Sequence, residues 1–149
     1  MRSVVQRVDR VRVHVGGKWI SEIEKGLLVF LGIEKGDQEG DADYLADKIT
    51  NLRIFEDEQG KMNLSLLDIH GELMVVSQFT LLGDCRKGRR PSFIVAENPD
   101  RARLLCDYFI EKTRNKIGHV AQGKFQAMMS VELVNDGPVT MLLDSKRIF

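Results

Sequence analysis

The run GLLVFLGI, from Gly26 to Ile33, constrains the fold more than any other stretch, because eight successive residues carry no charged or hydroxyl side chain. A continuous apolar run of this length is typical of a strand that is covered on both faces. ELMVVSQFT, from Glu72 to Thr80, predicts a second strand of the same kind with a polar end. Two such strands require other elements to pack against both faces of the sheet.

Two helices are predicted to supply part of that cover. The first runs from about Asp41 to Leu52, with Asp41 as its N-cap and apolar residues at helical spacing. The second starts at Pro99, is capped by Asn98 and is closed by Gly118. The core-facing stripe of the second helix comprises Ala102, Leu105, Cys106, Phe109, Ile110 and Thr113.

Alternation of apolar and polar residues predicts further strands at both ends of the chain. In RVRVHV, Val11, Val13 and Val15 alternate with polar residues, and KWISEIEKG follows a Gly-Gly turn as the returning strand. FQAMMSVELV and VTMLLDS read as two strands on either side of a turn at VNDGPVT. The pattern predicts one strand-rich α/β domain over residues 1–149, with two main helices.

Composition and charge exclude several classes of protein. Hydrophobic residues make up 43% of the chain, and no apolar run approaches the roughly 20 residues that span a bilayer. Lys+Arg and Asp+Glu are equal at 22 each, so a polyanion has to be met by a local basic patch. The N-terminus lacks the apolar core of a signal peptide, and Cys85 and Cys106 have no metal spacing. We therefore expect free thiols in the cytoplasm.

The sequence gives little support to mechanisms that use histidine or a metal. His14, His70 and His119 are far apart and stand in different contexts. The motifs HExxH, GxSxG, GxGxxG and the Walker loop do not occur. We therefore expect neither a metal nor a cofactor.

Two polar segments remain, and each has two interpretations. SQFT, from Ser77 to Thr80, either satisfies nearby backbone groups or offers neutral donors that stabilise an oxyanion. RKGRR, from Arg86 to Arg90, is either a solvated charge run or a phosphate-binding loop close to that strand end. The residues by themselves leave both questions open.

Several motifs together resemble the D-aminoacyl-tRNA deacylases, cytoplasmic homodimers that hydrolyse the ester between a D-amino acid and tRNA. The signature segments are SQFTL (77–81), KGRRPSF (87–93) and NDGPVT (135–140). QRV (6–8), GLLVFLGI, LRIF (52–55), GKMN (60–63) and GKFQAMM (123–129) also fit, in order along nearly the whole chain. Gly83 and Gln126 depart from the residues more common in the family. The resemblance implies a curved, barrel-like sheet in α-β-β layers with two main helices.

The resemblance also implies a site across the dimer interface, which takes the terminal adenosine and the acceptor stem of the tRNA. The implied catalytic residues are Gln78, Phe79 and Thr80, with the main-chain N–H groups of Gln78 and Phe79 on the ester and the substrate's 2′-hydroxyl assisting. The other implied site residues are Ser77, Phe125 and Met129, Gly137 and Pro138 of the partner subunit, Arg7 behind the Gly-Pro peptide, and Lys87, Arg89 and Arg90 for phosphates.

The resemblance implies selectivity by exclusion. A cis Gly137-Pro138 peptide would accept a D-amino acid and collide with an L side chain, and the achiral glycyl ester would slip through. Two other functions are to be weighed against this one. The chain could be a non-catalytic RNA-binding module that uses its basic loop, or a hydrolase of small esters with Thr80 as nucleophile.

Overall fold

The structure is a computed structural model, and it describes residues 1–148. Its strands are β1 (Arg2–Val15), β2 (Lys18–Ile23), β3 (Gly26–Gly32), β4 (Phe55–Glu56), β5 (Met62–Leu64), β6 (Glu72–Ser77), β7 (Val120–Gln122) and β8 (Met129–Asp144). Its helices are α1 (Glu39–Thr50), a short 3-10 helix (Phe79–Leu82) and α2 (Pro99–Arg114). None of these helices is long and apolar enough to cross a membrane.

The main sheet is mixed and nearly closed into a barrel. Five of its strands run in the order β2-β1-β3-β6-β7. The sixth strand, β8, pairs with β1 along nearly the whole length of β1. The β3–β6 and β6–β7 pairs are parallel, whereas β1 is antiparallel to its three neighbours. Leu27, Leu28 and Val29 on β3 are completely buried, because one core cluster lies against each face of the sheet. The predicted fold class and the doubly covered strand are confirmed.

The second predicted helix is confirmed, except for its end. Asn98 caps α2 by accepting a hydrogen bond from the Arg101 N–H at 3.1 Å, and Pro99 is the first helical residue. The predicted stripe faces the core. The helix ends at Arg114 with Asn115 as its cap, so Gly118 lies outside it and does not close it.

The first helix begins two residues earlier than predicted. Gln38 is the N-cap of α1, and the Asp41 carboxylate accepts a hydrogen bond from the Gln38 N–H at 2.8 Å. Asp41 therefore acts as the third residue of a capping box rather than as the cap.

The second apolar strand is shorter than its sequence suggests. β6 ends at Ser77, where its partner Leu31 lies near the end of β3. The Gln78 N–H still donates to the Leu31 carbonyl at 2.8 Å, and the chain then turns into the 3-10 helix at Phe79. The polar end of the predicted strand is therefore a strand-to-helix junction.

The predicted hairpin at VNDGPVT does not exist, because the two strands are one. β8 pairs with β1 on both sides of the motif, with Asn135 opposite Val8 and Thr140 opposite Gln6. The residues between these two pairs leave the ladder as a bulge, and β1 is long enough to carry β8 past it. The strand also starts at Met129, so Phe125 lies in the preceding turn and not on the strand.

Gly26→Ala should destabilise the fold by about 3 kcal/mol or more, since a Cβ at this position cannot avoid the backbone of β6. That atom would lie 1.9 Å from the Glu72 carbonyl oxygen and 2.7 Å from its carbonyl carbon. Urea denaturation of the purified variant measures the loss. Gly40→Ala in α1 is the matched control, because nothing lies within 4 Å of its Cβ position. A Gly26→Ala midpoint equal to that of the wild type would contradict the packing described here.

Candidate active site

The junction after β6 carries neutral hydrogen-bond donors. Phe79 and Thr80 are the first two residues of the 3-10 helix, and both are exposed. The first N–H groups of a helix have no partner within it, so these two are available to a ligand. The Gln78 carboxamide donates to the Thr80 hydroxyl oxygen, which fixes the two side chains together.

One part of the predicted oxyanion arrangement has to be corrected. The Gln78 N–H is occupied, because it donates to the Leu31 carbonyl at 2.8 Å. A donor already used in the strand ladder cannot also hold an oxyanion. Of the two predicted donors, only the Phe79 N–H lies at the start of the 3-10 helix. The Thr80 N–H is the next donor along that helix.

The basic loop is tied to this junction. The rings of Phe79 and Phe93 meet edge to face at 5.1 Å, and Asp84 pairs with Ser92 across the base of the loop. Arg86 belongs to the base of the loop as well, since its guanidinium donates to Asp84 at 2.9 and 2.8 Å. These hydrogen bonds hold the pKa of the Asp84 carboxyl well below its usual range.

The remaining cations of the loop are unengaged. Lys87, Arg89 and Arg90 are exposed, and none of them forms a salt bridge with a carboxylate in residues 1–148. The loop therefore presents three free positive charges beside the exposed N–H groups of the junction.

A cavity of about 380 Å³ reaches the end of β6 at Ser77, directly before the junction. Ser77 and Phe125 both contribute to its wall. Met129 lies behind the turn, where its Sδ is 3.3 Å from the Lys124 N–H. The structure thus brings Ser77, Phe125 and Met129 into one region, and Ser77 leads directly into the junction.

Gly137 and Pro138 lie at the exposed tip of the β8 bulge, and their peptide bond is cis. Gly137 has φ +118°, a conformation that side chains rarely adopt. The buried Arg7 holds the base of the bulge, because its Nε lies 3.3 Å from the Asp136 carbonyl oxygen and 2.9 Å from the Asp136 carboxylate. Its Nη1 also donates to the Ile54 carbonyl at 2.7 Å.

Within one chain, this peptide and the junction are separated. Their partners on β3 show how far apart they are. Arg7, which stands opposite the bulge, pairs with Leu27, and Ser77, which precedes the junction, pairs with Leu31. Four residues correspond to about 13 Å along the strand. β8 and β6 are in addition three strand spacings apart across the sheet, about 14 Å along its surface. One chain therefore does not place Gly137-Pro138 beside Thr80.

None of the three histidines is among the residues that line the cavity. His70 is exposed in a turn, His119 is exposed directly before β7, and His14 lies 3.6 Å from Glu132. Both cysteines are free, as predicted. Cys106 lines the cavity, but burial raises the pKa of its thiol to about 12. The thiol is therefore protonated at neutral pH and is a poor nucleophile.

Two residues of the cavity were missed by the sequence analysis. Arg103 on α2 and Lys124, two residues after the end of β7, both line it. The sequence holds no signal for Arg103, because Asp100 and Asp107 stand at helical spacing from it and suggest ordinary surface pairs.

Comparisons with known proteins agree with this arrangement of elements. The family described as D-Tyr-tRNA(Tyr) deacylase matches residues 4–144. A D-aminoacyl-tRNA deacylase of Syntrophus aciditrophicus is 66% identical over 149 residues, and one of Thermosipho melanesiensis is 59% identical over 150 residues. Both alignments cover 100% of each chain.

Two solved structures share the fold. One, described as a c-Myc DNA Unwinding Element Binding Protein, is 42% identical with a TM-score of 0.92, over 97% of this chain and 98% of the other. A probable eukaryotic D-amino acid tRNA deacylase is 17% identical with a TM-score of 0.81, over 96% and 98% of the two chains, which shows the fold alone. On the match over residues 4–144 and the full-length identity to curated relatives, the chain belongs to the D-Tyr-tRNA(Tyr) deacylase family.

Proposed function

We propose that the protein hydrolyses the ester of D-aminoacyl-tRNA, releasing the free D-amino acid and tRNA, and that it spares L-aminoacyl-tRNA. The curated relatives of this length carry that activity in their names. The observation that supports the chemistry is that the exposed residues Phe79 and Thr80 begin the 3-10 helix with unpaired N–H groups, two residues after Ser77 in the cavity wall. The substrate is made in the cytoplasm, which is the location that we propose for the enzyme.

Neutral donors suffice because the ester is already reactive. When water attacks the carbonyl carbon, negative charge develops on the carbonyl oxygen, and donors fixed in place stabilise it at no cost of reorganisation. The bond between the carbonyl carbon and the ribose 3′-oxygen then breaks. The proton from water reaches that oxygen, assisted by the neighbouring 2′-hydroxyl of the substrate. The Thr80 hydroxyl, held by Gln78, positions the substrate and forms no covalent bond.

The Gly137-Pro138 peptide of the partner subunit would supply the chiral filter. L and D forms offer the same groups, so discrimination has to come from exclusion at Cα. A wall of main-chain atoms, held in place by Arg7, accepts the α-amino group of only one enantiomer. Because the wall is main chain, it does not depend on the size of the side chain, and many D-amino acids should be accepted. Glycine esters would pass as a side activity.

This filter requires a homodimer, since one chain keeps its two halves apart. The outer edge of β8 is a second reason to propose a dimer. In residues 1–148 this strand pairs only with β1, and Val134 and Leu142 on it are 40% and 61% exposed. An unpaired strand edge with apolar side chains is a favourable surface for self-association.

The decisive test compares matched D-Tyr-tRNA and L-Tyr-tRNA as substrates. The purified protein should release D-tyrosine and leave the L ester intact, as followed by acid-precipitable label. Cleavage of neither substrate, or of both at the same rate, would reject the proposal.

A change in the substrate separates assisted hydrolysis from a threonine nucleophile. D-Tyr-tRNA that ends in 2′-deoxyadenosine should be cleaved about 10²-fold more slowly, because the assisting hydroxyl is gone. Thr80→Ala should keep kcat within about tenfold, since the Thr80 N–H remains. Single-turnover rates measure both effects. Loss of activity in Thr80→Ala together with a trapped acyl-Thr80 would instead support the nucleophile.

A non-catalytic RNA-binding role is the second candidate, and the unengaged Lys87, Arg89 and Arg90 favour it. One solved relative is itself described as a DNA-binding protein. This role predicts salt-sensitive binding of tRNA without any turnover of the ester. The same substrate comparison therefore decides between the two functions.

A further inference from the structure

The cavity beside the junction has a charged wall that the proposed chemistry does not use. Arg103, Lys124 and Asp107 are its charged residues in the described part of the chain. The guanidinium carbon of Arg103 lies 5.7 Å from the centre of the Phe125 ring, which is within the range of a cation–π contact. Arg103 is thus held over the ring on the rim of the same cavity that Ser77 lines.

Arg103 differs from the other basic residues of α2. Arg101 pairs with Glu97 at 3.4 Å, Lys112 with Asp43 at 3.0 Å, and Arg114 with Glu111 at 2.6 Å. Arg103 has no such carboxylate partner in residues 1–148, although Asp100 and Asp107 stand at helical spacing from it. Its donors are therefore free to bind a ligand.

The side chain of Lys124 likewise has no carboxylate partner in residues 1–148. Its backbone N–H contacts Met129, but its ammonium group forms no salt bridge with any described residue. The two cations and Asp107 leave one net positive charge on the cavity, and the carboxylate of Asp107 opposes an anion there. An anion has to be held by Arg103 and Lys124 against that repulsion.

We propose that Arg103 and Lys124 bind a backbone phosphate of the single-stranded 3′ end of the substrate RNA. The inference rests on the proposed function, which places the terminal ester at the adjacent junction. An arginine next to an aromatic ring is a combination that binds single-stranded nucleic acid. The ring offers a face on which a base stacks, and the guanidinium group matches the geometry of a phosphate. The other basic residues of α2 are paired with carboxylates and offer no such surface.

The test is the affinity for uncharged tRNA, measured by filter binding over a range of salt concentrations. Arg103→Gln and Lys124→Gln should each weaken binding, Arg103→Gln by about tenfold at low salt. In each of these variants the slope of log K against log salt should fall, by up to about 0.7, because one of the two cations on the single-strand phosphate is gone. Arg103→Lys should keep the slope, because it keeps the charge. Arg114→Gln, the same change on the same helix, should behave as the wild type.

Two results would overturn the inference. In the first, Arg103→Gln binds tRNA within twofold of the wild type with an unchanged slope. In the second, Arg103→Gln and Arg103→Lys weaken binding equally with an unchanged slope, which would mean that Arg103 only packs on Phe125. Turnover of D-Tyr-tRNA by the wild type is measured separately. If the wild type fails to cleave it while the salt slope still depends on Arg103, the proposed function fails and the phosphate contact stands.

Discussion

Phe79→Pro should lower kcat for D-Tyr-tRNA by about 10²- to 10³-fold, the cost of removing one oxyanion donor. Proline has no N–H, and at the first position of a helix its ring fits without breaking a helical hydrogen bond. Phe79 is the first residue of the 3-10 helix, so the substitution removes the proposed donor and leaves the rest of the junction in place. Single-turnover hydrolysis at saturating enzyme measures the loss.

Phe79→Leu is the matched control for this effect. It keeps the N–H group and removes only the ring contact with Phe93, so we expect kcat to stay within about tenfold of the wild type. Thermal melts of both variants show whether the fold is retained. Equal losses in the two variants would mean that the ring, and not the N–H group, supports catalysis.

Mixing two inactive variants should restore activity if the site is shared between subunits. Gly137→Ala should cost about 10²-fold in kcat/KM, because displacement of a positioning group by about 1 Å is enough for such a loss. A Cβ at Gly137 would lie 2.7 Å from Val139 Cγ2 and 3.1 Å from Arg7 Nη2, and its φ of +118° disfavours any side chain. The bulge therefore has to move.

Co-refolding Gly137→Ala with Phe79→Pro in equal amounts should give about a quarter of the wild-type activity. Half of the dimers would be mixed, and each mixed dimer would have one site with both elements intact, as follows from two-fold symmetry. Activity of the mixture is compared with that of each variant refolded alone. If the mixture is no more active than the average of the two variants, the site does not cross between subunits.

The fold was largely predictable because burial leaves a direct pattern in the sequence. β3 is apolar throughout since both of its faces are covered, and the stripe on α2 is the face that meets the core. The VNDGPVT motif misled because its residues favour a turn locally. Whether such a segment becomes a hairpin or a bulge depends on its partner, and β1 is long enough to pair on both sides of it.

The segments of the candidate site can be read from the sequence, but which of their N–H groups are free cannot. SQFT and the basic loop stand close together in sequence, so their proximity follows from the chain itself. Which N–H groups are free depends on how far the hydrogen bonds between β3 and β6 extend. They extend to Gln78, whose N–H donates to the Leu31 carbonyl. Arg103 reaches the cavity through the packing of α2 on the sheet, which no local pattern records.

The bulge in β8 carries the proposed filter at its tip, while β8 stays paired with β1 on both sides of it. Four residues, 136–139, stand opposite the single residue Arg7, between the pairs Gln6–Thr140 and Val8–Asn135. If three of them were deleted, one residue of β8 would stand opposite Arg7, as in a continuous antiparallel pair of strands. The pairing on either side of the bulge would then keep its register without the loop. On the proposed function, selectivity would reside in these inserted residues.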